Sequence, residues 1–351
     1  MKEKIVNRNR IVAKLYCLMM MIFICTQLKA QDLHFSQFYE APLLRNPSLA
    51  GIFTGDLRVQ GVYRSQWGSV TVPYKTGSFD LEYKKPVGRA DDFITAGIQI
   101  LYDKAGSTNF TTTNILPALN YHKALSGDRN RYLSLGFMAG LVQRRIDMSR
   151  MTTNNQFDGN GYNPSLSHGE TFTDPNYTYF DASVGMSYNS AIRDSETDNF
   201  FVGLAYHHFN RPANSFYKNP DVELHPKWVG SVGVRFGLNE TSFFTLQGDY
   251  TTQGNFQQAI LGAMYSYKLG TDYEDPSHVV HFGGFLRWKD AFIPVVKLDF
   301  NPFSLGLSYD VNVSQLRTAS QGRGGFELSL SYRAFFDREN STKNAVLCPR
   351  F

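Results

Sequence analysis

From residue 57 to about residue 335 the chain repeats one device: segments of roughly ten residues in which apolar and polar side chains alternate, with turn-forming residues between them. A strand sends successive side chains to opposite faces, so this period-two pattern predicts β-strands with one apolar and one polar face. Three segments show it most clearly. Phe180, Ala182, Val184, Met186 and Tyr188 alternate with Asp181, Ser183, Gly185, Ser187 and Asn189. Phe303, Leu305, Leu307, Tyr309 and Val311 alternate with Ser304, Gly306, Ser308 and Asp310. Phe326, Leu328, Leu330 and Tyr332 alternate with Glu327, Ser329, Ser331 and Arg333.

Alternation fixes strands but not what bathes them. A soluble sandwich has a core face and a wet face; a membrane barrel has a lipid face and a polar lumen. After residue 30 the chain contains no apolar stretch of about 18 residues, which excludes helical membrane spans. A membrane form of this chain therefore has to be a closed barrel, because only closure pairs every backbone N–H and C=O inside lipid.

Candidate strands fall near 57–66, 75–84, 93–103, 111–124, 131–144, 178–189, 199–209, 227–237, 242–251, 258–268, 278–288, 291–300, 303–312 and 324–335. About fourteen is an even number within the range of bacterial barrels, whose long loops and short turns lie on opposite rims. The three longest connections, 146–177, 211–226 and 313–323, are the fifth, seventh and thirteenth, all odd. The fourth, eighth and twelfth are short; the eleventh, Lys289-Asp290, is short against the trend. With an even strand number both ends of the chain then lie on the short-turn, periplasmic side, and loops 146–177 and 211–226 face outward. Aromatic residues make up 15% of the chain, which suits girdles at two membrane interfaces.

Residues 1–30 predict a signal peptide cleaved near Ala30. Lys2, Lys4, Arg8, Arg10 and Lys14 precede the apolar run Leu15–Cys25, which is too short to span, and Leu28-Lys29-Ala30 ends on a small residue. That segment carries six Lys/Arg and one Glu, a contribution of +5, so the formal +4 of the whole chain becomes −1 after cleavage. The remainder has no basic cluster for nucleic acid. Cys17 and Cys25 leave with the signal and Cys348 stands alone, so neither an intramolecular disulfide nor a cysteine zinc site is available. The expected division is 1–30 signal, 31–56 a periplasmic or plug segment, 57–336 barrel and 337–351 a periplasmic tail.

No catalytic, cofactor-binding or metal-binding residue emerges. The Gly/Asn-rich stretch 152–163 resembles a calcium loop at Asp158 and Asn160, but Tyr162 stands where the next ligand belongs and no Glu closes the set. It reads as a surface loop. His207 and His208 are adjacent on a predicted strand and should point to opposite faces; His122 and His225 lie on other segments, which disfavours zinc. No nucleophile–base pair has a diagnostic spacing, so the chain reads as a non-enzyme.

The stretch following the signal carries a resemblance. His34-Phe35-Ser36-Gln37-Phe38-Tyr39, Ala41-Pro42, Asn46-Pro47 and Ala50-Gly51 closely resemble the opening of the PorP/SprF family of Bacteroidota. Asp103–Gly106, Asn120-Tyr121-His122, Leu133–Gly136 with Gly140, His208–Pro212 and the ending Cys348–Phe351 extend the likeness along the chain. The resemblance implies a non-enzymatic outer-membrane component of the type IX secretion system, assisting export or surface anchoring of large adhesins and linked in some members to gliding motility. It also implies other secretion components and a peptidoglycan-binding periplasmic lipoprotein as partners. From the residues alone, a transport barrel for a hydrophobic solute remains the alternative. The expected fold is all-β: a single transmembrane antiparallel barrel of about 14 strands with an N-terminal periplasmic or plug segment.

Overall fold

The computed structural model describes residues 32–88, 92–126, 131–192, 198–271, 276–315 and 317–336. The expected signal peptide, the C-terminal tail and all three cysteines lie outside the described residues. Fourteen strands follow the alternating segments: β1 (Leu57–Gln66), β2 (Tyr74–Pro86), β3 (Phe93–Ala105), β4 (Phe110–Ala124), β5 (Arg131–Arg145), β6 (Asn176–Ala191) and β7 (Asn199–His207). After them come β8 (Lys227–Asn239), β9 (Ser242–Gln253), β10 (Phe256–Leu269), β11 (His278–Arg287), β12 (Ala291–Phe300), β13 (Phe303–Asn312) and β14 (Arg323–Ala334). Each pairs antiparallel with its sequence neighbour, and β1 pairs with β14 from Leu57 opposite Ala334 to Gln66 opposite Gly325, which closes the barrel.

The burial pattern is the reverse of a soluble protein's. Along β13, Phe303, Leu305, Leu307, Tyr309 and Val311 are exposed, whereas Ser304, Gly306, Ser308, Asp310 and Asn312 are buried. β14 repeats this, with Phe326, Leu328, Leu330 and Tyr332 outside and Glu327, Ser329 and Ser331 inside. The buried set includes Arg64, Asp80, Glu82, Lys84, Asp249, Arg287, Lys297, Asp310 and Glu327. Charges are almost never fully buried unless paired, and an apolar face running along successive strands is stable only against hydrocarbon. The outer face is thus the lipid face and the polar register lines the lumen. Aromatic pairs mark both ends of the apolar band: Phe303 and Tyr332, 5.2 Å apart, near one rim, and Tyr63 and Phe326, 6.0 Å apart, near the other.

Antiparallel order puts odd connections on one rim and even ones on the other. The long connections 146–175, 208–226 and 313–322 share a rim, and the tight turns 240–241 and 301–302 lie opposite. β7 stops at His207, two residues earlier than the alternation predicts.

Candidate functional site: the filled lumen

The lumen is occupied by the chain itself. Within residues 34–56 lie three single helical turns, Phe38–Glu40, Pro42–Arg45 and Pro47–Leu49, joined by the single residues Ala41 and Asn46. Pro42 and Pro47 start two of these turns, where a missing N–H costs nothing. Asn46 caps the third by accepting the Ser48 N–H at 2.9 Å.

The partners of this segment track from the long-loop rim to the short-turn rim. At the long-loop end, the Glu327 carboxylate on β14 accepts the backbone N–H groups of Ser36 (2.6 Å) and Gln37 (2.7 Å). The Ser36 hydroxyl donates to Asp310 on β13 (2.6 Å) and also contacts Arg287 on β11. Arg64 on β1 reaches Asp310 (2.9 Å), Glu327 (3.3 Å) and the carbonyl of His34 (2.5 Å). Arg287 also meets Asp310 at 2.9 Å, so two guanidinium groups face two carboxylates around the start of the segment.

Farther along, Glu40 accepts from Lys297 on β12 (2.6 Å) and from Gln60 on β1. Arg45 forks onto Asp249 on β9, with Nε to the two oxygens at 2.9 and 2.7 Å. Toward the short-turn rim, Asn120 on β4 donates to the carbonyls of Ser48 (2.6 Å) and Ala50 (2.8 Å), and His122 Nε2 lies 2.7 Å from the latter. Glu82 on β2 accepts from Gly51 N–H (2.8 Å), and Lys84 donates to the Phe53 carbonyl (2.7 Å). The segment leaves at Asp56, whose N–H donates to the Ala334 carbonyl (2.8 Å).

Apolar contacts fill the gaps. Phe38 and Tyr39 pack on Phe285, with ring centroids 5.5 and 5.3 Å apart, within a cluster that includes Ile293 and Val295. Leu43 packs with Leu116 and Met138. The barrel wall carries glycine where the segment comes closest: a Cβ at Gly136 on β5 would collide with the Pro47 backbone.

This geometry gives a physical role to the residues that carried the resemblance. Ser36, Gln37, Asn46, Ala50, Gly51, Asn120, His122 and Gly136 all belong to the contact between segment and wall. The charged partners Arg64, Asp249, Arg287, Lys297, Asp310 and Glu327 were not singled out as a site from sequence. Their signal was charge in the polar register of strands otherwise rich in Ser and Gly.

The histidines need one correction. His207 and His208 do not point to opposite faces: both are buried, because His208 lies just past the strand end with φ +55°, which breaks the alternation. His207 Nδ1 lies 3.0 Å from Ser183 Oγ, and His208 Nδ1 lies 2.8 Å from Asp181. His122 is held by Ser134, Asn120 and Ala50 and stacks on Phe93 at 3.9 Å. His225 lies exposed beyond the rim. Among the described residues no group of three His, Cys, Asp or Glu is arranged to hold a metal.

On the long-loop rim, Asp158 accepts the N–H groups of Asn160 (2.9 Å) and Gly161 (3.1 Å), which hold its carboxyl below the usual range. Its oxygens close the loop upon itself, beside a bridge from Phe157 to Tyr162. The fifth and seventh loops interlock: Asp174 N–H donates to the Phe216 carbonyl (2.8 Å), Tyr177 donates to Asn214 (2.6 Å), and Phe216 packs against Tyr177 at 5.0 Å. Near the opposite rim, a small pocket remains between the segment and β1, β7, β12, β13 and β14.

A closed barrel with an apolar exterior, a charged interior and a segment of its own chain packed inside defines the class: an outer-membrane β-barrel protein. Residues 27–332 match the model of the type IX secretion system membrane protein PorP/SprF, and the chain belongs to that family. No curated protein matches it. Among solved structures it is similar to the Ralstonia pickettii toluene transporter TbuX, at 9% identity over 85% of this chain and 94% of that one, TM-score 0.49. The translocator domain of autotransporter NalP from Neisseria meningitidis gives 12% identity, 84% and 93% coverage and TM-score 0.44. A Pseudomonas aeruginosa FadL homologue gives 10% identity, 84% and 94% coverage and TM-score 0.44.

Proposed function

We propose that this protein is a non-enzymatic component of the type IX secretion system that assists the export or surface anchoring of large adhesins, with its lumen closed by its own N-terminal segment. Family membership carries the reading, and the filled lumen supports it: a static, ion-paired interior suits a scaffold in the membrane better than a solute channel. The chain is exported by the signal at residues 1–30 and cleaved near Ala30. Its long loops 146–175 and 208–226 face the outside, where their interlocked surface meets cargo or other secretion components. The short-turn rim faces the periplasm, where a peptidoglycan-binding lipoprotein couples to it, and the cargo serves adhesion or gliding.

Deletion of the gene, followed by mass spectrometry of cell-surface and culture-fluid proteins, tests the role. The expected result is loss of one or a few large adhesins from the surface. An unchanged surface proteome overturns it. Orientation is tested separately: an epitope inserted between Gly159 and Asn160 should be cut by protease added to intact cells, and its protection would reverse the assigned topology.

A further inference from the structure

The carboxylate of Asp80 on β2 is buried in the lumen with no cation paired to it among the described residues. Gln60 on β1 and Gln99 on β3 are its direct cross-strand partners, so the three form a single row of the luminal face. Side chains opposed in this way start about 5 Å apart, within reach of one another. None of the three is more than 3% exposed. Ser78 Oγ donates to the Asp80 carboxylate at 3.3 Å. The neighbouring carboxylates are already neutralised: Glu82 pairs with Arg58 at 2.6 Å, and Glu40 of the luminal segment with Lys297 at 2.6 Å.

The amides on either side are incompletely used. Gln60 donates through Nε2 to Glu40, and its Oε1 is buried without a partner. Which atom is left over is fixed by chemistry, because a carboxylate accepts only from the nitrogen end of an amide. On Gln99 neither Nε2 nor Oε1 has a partner. Buried polar atoms in folded proteins are nearly all bonded, so orphaned amides flanking one carboxylate call for a missing partner. Water would satisfy the amides but not the charge, and a carboxylate held away from solvent needs positive charge beside it.

We infer that Gln60, Asp80 and Gln99 bind one monovalent alkali cation between β1–β3 and the luminal segment. One carboxylate with neutral amide and hydroxyl oxygens is a hard donor set, which suits alkali and alkaline-earth ions and not the softer transition metals. With Glu40 and Glu82 already paired, the row lacks a single positive charge, which selects the monovalent class. Glu40 holds Gln60, and Leu43 lies against Gly97, two residues from Gln99 on β3, so the ion sits under the segment and helps secure it to the wall. An ion that binds only the folded chain stabilises it as its concentration rises. The site goes beyond the secretion role, and its test is independent of secretion.

The test heats the purified full chain, folded in detergent micelles at mildly alkaline pH, in mixtures of sodium chloride and choline chloride at constant ionic strength. Choline carries the same charge but is too large for the site. The unfolding midpoint, read by the shift in gel migration, is expected to rise saturably by several degrees as sodium replaces choline. Asp80→Asn removes the charge that the ion answers, so its midpoint should lie above that of wild type in choline and should not respond to sodium. Gln99→Leu keeps the charge and removes a ligand; it should need several-fold more sodium for half of the rise, and it carries the test if Asp80→Asn fails to fold. A wild type indifferent to sodium, which is what a protonated Asp80 or water alone at the amides would give, overturns the site. So does a folded Asp80→Asn or Gln99→Leu protein with the wild-type response. Calcium acting through the same residues at far lower concentration than sodium overturns the choice of a monovalent ion.

Discussion

Arg45, in the middle of the luminal segment, forks onto Asp249 of the barrel wall, and both side chains are almost wholly shielded from solvent. A buried pair of this kind offsets its desolvation only while both partners are present; removing one leaves a charge in a place that cannot solvate it. Asp249→Asn is expected to destabilise the folded barrel by about 3–5 kcal/mol. The Arg45→Met/Asp249→Leu double variant, which removes both charges, should recover most of that loss. Thermal unfolding in detergent, followed by the shift in gel migration, reads both.

The close approach of Pro47 to Gly136 makes a second test. Gly136→Val places methyl groups where the Pro47 backbone lies, so the segment has to shift. Proteolysis within 34–56 should become faster in this variant, while strand content by circular dichroism stays unchanged. In a chain lacking residues 34–49 the same substitution should have no further effect on stability.

The lipid face is tested at its midpoint. Leu307 is exposed at 55% in the middle of β13. Leu307→Arg should cost about 2–4 kcal/mol of folding in bilayers, whereas Tyr332→Arg at the girdle should cost about 0–1. Refolding yields into vesicles at increasing urea distinguish the two. Equal costs at both positions would contradict the assignment of the outer face.

Asp92, just before β3, supplies a pH dependence. Partial burial alone would raise its carboxyl, but hydrogen bonds from Lys123 (2.8 Å), Tyr121 (2.5 Å) and the Ala124 N–H (2.8 Å) outweigh that and hold it below the ordinary aspartate range. A carboxyl lowered in the folded state contributes stability that is complete above its unfolded value and is lost as pH falls through its folded value. Wild type should therefore exceed Asp92→Asn in stability by a constant margin near neutrality, and the margin should close as the solution becomes strongly acidic. Parallel urea unfolding series across that range would show it.

The wall was legible in the sequence because each strand is written locally. Along Phe303–Asn312, alternation alone gives the strand and its two faces, and the lengths of 146–175 and 208–226 order the rims. The choice between lipid and a soluble core was not local, since the same alternation serves both; it was settled by closure and by the charged residues inside. The site was less legible. Gln37 bonds to Ser308, Glu327 and Ser329 across some 270 to 290 positions of sequence, and no period or spacing encodes such a contact. His208 was misplaced because a single left-handed residue at a strand end reverses a side chain, and histidine does not announce that conformation.

The central structural claim, a barrel closed by its own N-terminal segment, is tested most directly by single-channel recording in planar bilayers. The wild-type protein is expected to show no sustained ionic conductance. A chain lacking residues 34–49, whose ion pairs and hydrogen bonds to the wall are then absent, should conduct as a stable open pore. Sustained conductance from the intact protein, at the level of the deletion variant, would contradict the account.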